Sequence, residues 1–257
     1  SFTIPYELFQ PVEAGPKNLL DLSAECGSVQ CFKYLLLKQC PISECTASYA
    51  VYSGNTEIIH IIDEKSPQSF RNNLKIPNIA QNDTNLPLHF LFIKQSFMSP
   101  VLIAILMHHN AIFDWILSLY NQAYKQEDLL YMAYVSVQSS NFHSFLSCIE
   151  KGLNLTNNLP YLNLFLRISA SFGYYKLTDF ILKLCTPGDK IEVGYAISNF
   201  NYLELFELFI NFEKFKINPH IFLNASLQKG YIDIATFLLD KSSFEITKYF
   251  VVHLVLL

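Results

Sequence analysis

Apolar positions along the chain recur at helical spacing, and the same two-helix pattern appears near both ends. The stretch Leu19–Leu37, LLDLSAECGSVQCFKYLLL, contains two apolar runs separated by a small-residue step at Gly27. The stretch Leu223–Asp240, LNASLQKGYIDIATFLLD, repeats this arrangement around Gly230. Alternation of apolar and polar residues, which is typical of strands, is scarce. The pattern therefore predicts an all-α protein built from repeated pairs of short helices.

The repeat aligns on the turn residue between the two helices of each pair. The clear copies have Gly27, Gly54, Gly173 and Gly230 at the turn, and the weaker copies have His109, Ser140 and Asn201. Neighbouring turn residues are 27 to 33 residues apart, except for one interval of 55 residues between Gly54 and His109. One helix pair cannot bury its apolar face alone, whereas a stack of pairs can. We therefore predict one repeat domain over residues 1–257, with about seven pairs, a partial eighth, and a degenerate unit or insertion at 64–99.

Helix starts are marked by proline and by small polar residues. Ser99-Pro100, Leu159-Pro160 and Asn218-Pro219 are suitable for a cap followed by proline in the first turn. Ser43, three residues before Thr46, is a candidate cap for the first helix of the second pair. These positions indicate where helices begin and carry no information about function.

The phrase around Gly27 resembles the ankyrin repeat, in which a Leu-Ala-Ala helix meets Gly and a second Leu/Ile/Val-rich helix. CIEKGLNL, Cys148–Leu155, resembles the ankyrin ending, and GNTEIIHII and HHNAIFDWIL resemble divergent ankyrin proteins of the large protist families. Only Leu86–His89 resembles the usual Thr-Pro-Leu-His start, and the short units leave little room for a β-hairpin. The resemblance implies an all-α, ankyrin-like helix-pair solenoid with short or missing β-hairpins.

The composition limits which classes of partner and which cellular compartment we expect for this chain. The chain of 257 residues is 51% hydrophobic and 16% charged, with a net charge of −4, so it lacks the basic excess that nucleic-acid binding requires. No apolar run approaches the ~20 residues of a transmembrane span. We expect no signal peptide, reduced cysteines and a cytoplasmic location. The absence of an initiating Met fits a fragment of a longer polypeptide.

Candidate chemistry is sparse. Cys26, Cys31, Cys40 and Cys45 have spacings seen in zinc sites, but Cys31 aligns with the core positions Ile58 and Leu177, so we assign these thiols to packing. We interpret His109 as a turn histidine and His108 as a surface histidine, because neighbours on a helix do not share a face. Phosphate-binding, metalloprotease, hydrolase and kinase motifs are all missing from the sequence. We expect no enzyme activity, no metal and no cofactor.

The resemblance implies that binding residues lie just before each turn, on the concave face of the solenoid. On this chain they are Glu25, Cys26, Tyr52, Ser53, His108, Gln138, Ser139, Ser171, Phe172, Asn199, Phe200, Gln228 and Lys229. The aromatic members either anchor an interface or pack on the next loop. The expected function is a non-catalytic protein-interaction scaffold. The alternative is a structural or regulatory segment of a larger polypeptide whose active domain lies elsewhere.

The C-terminus suggests a second way of associating. FEITKYFVV, Phe244–Val252, matches FKINPHIFL, Phe215–Leu223, and therefore begins the partial eighth unit. The last nine residues, YFVVHLVLL, contain only His253 as a strongly polar side chain. Exposed apolar surface costs about 25 cal/mol per Å². We expect this helix to be covered by further chain, by a partner or by a second copy.

Overall fold

The structure is a computed structural model, and it describes residues 17–71, 99–119, 124–155, 159–185, 202–211 and 219–241. Within those ranges the chain forms helices and turns, with no strand, so the predicted all-α class is confirmed for them. The chain divides into two compact units, Ser1–Leu153 and Asn154–Leu257, called here the N-terminal and C-terminal units. The single domain over residues 1–257 stays a prediction, and Phe244–Val252 lies outside the described residues.

The described residues of the N-terminal unit form a stack of four helix pairs. The pairs are α1 (Leu19–Glu25) with α2 (Val29–Leu37), α3 (Thr46–Ser53) with α4 (Thr56–Lys65), α6 (Pro100–Leu106) with α7 (Asn110–Ser118), and α8 (Gln126–Gln138) with α9 (Phe142–Glu150); the short α5 (Gln68–Arg71) follows α4. The first helices pack in the order α1, α3, α6, α8, and the second helices pack as α2 on α4 and α7 on α9. This is the predicted ankyrin-like arrangement of helix pairs.

The interval of 55 residues separates two pairs whose first helices are in contact. Helix α3 packs directly against α6, so no described helix pair separates them. Helix α5 instead contacts the second helices, since the ring of its buried Phe70 meets Trp115 of α7 edge-on at 5.1 Å. The degenerate unit or insertion at 64–99 stays a prediction. Residues 72–98 lie outside the described ranges.

The C-terminal unit repeats the same arrangement. Its helices are α10 (Leu159–Ser171), α11 (Tyr175–Leu184), α12 (Leu203–Asn211), α13 (Pro219–Lys229) and α14 (Ile232–Lys241). Helix α10 pairs with α11, α13 pairs with α14, and α12 packs between α11 and α14. Helix α12 therefore occupies the place of a second helix in the stack.

A small buried residue in every described first helix allows the close packing. The residue four positions before each turn residue is buried in all six of these helices. These residues are Ser23, Ala50, Ala104, Ser136, Ser169 and Ser226. Each serine satisfies its hydroxyl by donating to a carbonyl three or four residues earlier in its own helix. The position is therefore compatible with a core even where it is polar.

The turn residues of the alignment adopt the left-handed backbone conformation, with one correction. Gly27, Gly54, Gly173 and Gly230 have φ between 63° and 74°, and Ser140 has φ of 57°. In the third pair the left-handed residue is His108 (φ 57°), and His109 takes the N-cap position of α7 instead. Two adjacent histidines made the turn ambiguous by one residue in the sequence. Asn201 lies outside the described residues.

The helix starts agree with the proline signals but not with the cap assigned to Ser43. Helices α6 and α13 begin at Pro100 and Pro219. Helix α3 begins at Thr46 after Cys45. Ser43 accepts a hydrogen bond from the Cys45 N–H (3.1 Å), and its own N–H donates to the Thr46 hydroxyl (2.8 Å). Ser43 therefore shapes the turn before the helix rather than capping it.

Candidate functional site

The residues expected to bind a partner lie at the surface on one edge of each unit, called here the turn edge: the ends of the first helices and the turns that follow. Asn199 and Phe200 lie outside the described residues. Of the others, Cys26, Tyr52, His108, Phe172, Gln228 and Lys229 are exposed, and Glu25, Ser53, Gln138, Ser139 and Ser171 are half-buried. The alignment therefore selected surface positions throughout. Their contact with a partner stays a prediction.

Several polar members of the turn edge are engaged within the fold. Ser53, Ser139 and Ser171 each donate their hydroxyl to a carbonyl of their own helix. Glu25 accepts a hydrogen bond from the Lys17 ammonium at 2.8 Å, and this bond raises the pKa of Lys17. The hydroxyl donors of these serines and the Glu25 carboxylate are therefore already engaged within the fold.

Contacts across the turn edge tie neighbouring pairs of the N-terminal unit together. His108 donates from Nε2 to the carbonyl of Ser139 in the next pair (2.8 Å). Asn141 accepts from the N–H of Ser144 and donates from Nδ2 to the carbonyl of Ile105 in the preceding pair (2.9 Å). Because Asn141 is buried, these two contacts both cap α9 and fix the spacing between pairs. The sequence reasoning missed this role.

Aromatic rings cover two of the turn glycines. The ring of His109 lies over Gly54, so that a Cβ built on that glycine would sit 2.9 Å from the ring. Tyr202 covers Gly173 in the C-terminal unit at the same distance. His109 and Tyr202 each stand directly before the first residue of a second helix. Asn55 has the same position before α4, and its Nδ2 donates to the carbonyl of Gly27 (3.2 Å). Alignment of the residue after each turn would have revealed this shared role.

The exposed aromatic residues of the turn edge differ in how they are supported. Tyr52 is 40% exposed, and its carbonyl accepts a hydrogen bond from His109 (3.4 Å). Phe172 is 44% exposed and stacks on Tyr174 of its own turn, with ring centroids 5.5 Å apart. Burial raises the pKa of Tyr174, and Tyr202 adds to the effect. The contact of Phe172 is therefore with its own turn, while much of its ring remains open to a partner.

The structure corrects the assignment of Cys31 to core packing. Cys31 is exposed, although its counterparts Ile58 and Leu177 are buried. The difference follows from its place in the stack, since no described helix precedes α2, whereas α4 packs against α2. Cys26 is also exposed, and Cys40 and Cys45 are half-buried. Within the described ranges, no three His, Cys, Asp or Glu side chains are grouped so that they could hold a metal ion.

The thiols are expected to separate into two classes in a labelling experiment. A disulfide reagent should react within seconds to minutes with Cys26 and Cys31, and with Cys148 only as the chain unfolds. Burial raises the pKa of the Cys148 thiol to about 12, so the reactive thiolate is scarce at neutral pH. Mass spectrometry of labelled peptides measures both rates. As a control, a metal chelator should leave the melting temperature unchanged, and a large decrease would mean a structural metal.

Comparison with known proteins gives likenesses among solved structures. No protein-family model and no curated protein matches the chain. Among solved structures, the chain is similar to the ankyrin repeat domain of human ASB11, at 11% identity and a TM-score of 0.49, over 79% of this chain and 85% of that chain. That domain belongs to the family that the sequence resembles. The likeness concerns the fold alone.

Proposed function

We propose that the chain is a non-catalytic protein-interaction scaffold that binds a protein partner through its turn edges. The observation that supports the proposal is the placement of the turn-edge residues. Six of the eleven described positions are exposed and none is buried, although most lie in or next to helices whose other faces form the core. A row of surface side chains repeated along stacked pairs suits an extended protein surface.

The edge is also held in a fixed shape, which favours binding. The contacts of His108, His109 and Asn141 join successive pairs of the N-terminal unit. A surface that is already ordered loses less conformational entropy when a partner binds. Tyr52 and Phe172 are the best candidates for anchors, since exposed aromatic side chains supply much of the binding energy at protein interfaces. No helix in the described part of the chain is long and apolar enough to cross a bilayer. A cytoplasmic location belongs to the same proposal.

The proposal predicts that two aromatic residues control partner recovery. The double variant Tyr52→Ser and Phe172→Ser should bind the partner about tenfold or more weakly, since interface aromatic residues are often worth at least 1.4 kcal/mol. The measurement is quantitative affinity capture with the intact chain. A matched control replaces Glu64 and Lys65 by Ser, because both are exposed on α4 away from the turn edge. Recovery of the same proteins in equal amounts by both variants would contradict the proposal, provided that both melt like the wild type.

A further inference from the structure

The first helix pair has an exposed apolar side, called here the end face and formed by Leu19 and Leu22 of α1 with Cys31 and Tyr34 of α2. Leu19 is 66% exposed and Tyr34 is 58% exposed, and Leu22 and Cys31 are exposed as well. The two residues on each helix are three positions apart, so they lie on one side of that helix. The end face is therefore apolar, whereas the terminal unit of a repeat stack normally has a polar outer side.

The repeat register shows that the end face is a packing surface. In the second pair the counterparts of Leu19 and Cys31 are Thr46 and Ile58, and both are buried. The first pair covers this side of the second pair, since α1 packs on α3 and α2 packs on α4. No helix among the described residues covers the end face in the same way. Leaving its apolar side chains in water costs about 25 cal/mol per Å², so a cover would stabilise the first pair.

We propose that the N-terminal segment of this chain, residues 1–16, docks on the end face in an extended conformation. This segment, SFTIPYELFQPVEAGP, lies outside the described residues and joins them directly before α1. Near its start, large apolar side chains occur at every second position, namely Phe2, Ile4, Tyr6 and Leu8. Successive side chains of an extended backbone point to opposite sides, so these four share one side. Pro5, Pro11 and Pro16 also favour extended backbone in the residues before them.

Length and area favour this segment over a second copy of the chain as the cover. Residues 9–16 link Leu8 to the described chain, and eight extended residues span up to about 29 Å. The end face measures only about 14 by 20 Å, because α2 has nine residues and each helix is about 10 Å wide. The segment can therefore reach across both helices, whereas a stable contact between two copies needs about 800 Å² on each. Attachment to α1 also gives the segment a high effective concentration at the end face.

The thiol of Cys31 reports on this cover, because it belongs to the end face. In the intact chain Cys31 should react with a disulfide reagent over minutes rather than seconds. The double variant Ile4→Ser and Leu8→Ser removes two apolar side chains from the docking side, so the labelling rate of Cys31 should rise about tenfold. Mass spectrometry of labelled peptides measures the rate. The buried Cys148 should stay slow in every variant, which verifies that the core remains folded.

A matched control variant, Thr3→Ser with Glu7→Ser, changes two residues on the opposite side of the same segment. Its labelling rate at Cys31 should stay within about twofold of the wild type, since surface changes have small effects. An unchanged rate in the apolar double variant, or an equal rise in both double variants, would overturn the proposal. A second measurement compares two protein concentrations about a hundredfold apart. A wild-type rate that falls at the higher concentration would mean that a second copy is the cover, because only that cover obeys mass action, and a constant rate supports the segment.

Discussion

Replacing Asp21 by Ala is expected to lower the free energy of unfolding by about 3 kcal/mol, because several buried donors lose one acceptor. The Asp21 side chain is 4% exposed. Its Oδ1 accepts hydrogen bonds from the hydroxyls of Ser43 (2.8 Å) and Thr46 (2.5 Å) at the start of the second pair. Its Oδ2 accepts from the N–H of Asn18, which completes the capping box of α1. One carboxylate thus joins the starts of α1 and α3.

Urea unfolding of the intact chain measures this effect, and two further variants define its cause. Asp21→Asn keeps one acceptor oxygen for the hydroxyls and should lose about 1 kcal/mol. Glu64→Ala removes an exposed carboxylate from α4 and should change stability by no more than about 0.5 kcal/mol. A loss below 1 kcal/mol for Asp21→Ala would show that these hydrogen bonds are replaced by water at no cost.

Gly54→Ala is expected to lower the free energy of unfolding by about 2 to 3 kcal/mol, of which 1 to 2 arise from the left-handed backbone. Gly54 has φ of 68°, and a Cβ there would meet the ring of His109 at 2.9 Å. The ring must therefore move, which breaks its contact with the carbonyl of Tyr52. The effect combines backbone strain with the loss of a contact between two pairs.

Gly230→Ala separates these two causes. Gly230 has φ of 71°, but a Cβ there would have no neighbour within 4 Å. Only the backbone contribution applies, so the expected loss is about 1 to 2 kcal/mol. Urea unfolding of both variants gives the comparison. Equal losses would mean that the His109 ring adapts freely and contributes nothing to the turn edge.

Both effects bear on the proposed function, because they act on contacts that hold neighbouring helix pairs in place. Asp21 joins the first and second pairs at the starts of their first helices, and His109 joins the second and third pairs at the turn edge. Partner binding should therefore weaken in Gly54→Ala even though the substituted residue is outside the proposed contact set. A shift of Tyr52 with its carbonyl would be the physical reason.

The sequence by itself determined the class of fold and the period of the repeat. Apolar spacing, the turn glycines and proline at helix starts act through local backbone preferences, so they can be read without knowledge of distant contacts. Gly27, Gly54, Gly173 and Gly230, aligned as turn residues from the sequence, have left-handed backbones, and helices α6 and α13 begin at their prolines. The surface placement of the described turn-edge residues follows from the same register.

Only the tertiary structure decided what depends on neighbours in the stack. Cys31 shares the register of Ile58 but is exposed, since burial depends on whether another helix covers that face. The direct packing of α3 on α6 is also visible only in the structure, because an interval of 55 residues does not say which helices meet. Likewise, Glu57 of α4 forms an ion pair with Lys33 of α2, whereas the same two repeat positions in the C-terminal unit are Glu204 and Asp179. From its residue type alone, each of these side chains is interpreted as a solvated surface charge. Contacts between pairs join residues about 30 positions apart, and the pattern of a single helix does not contain them.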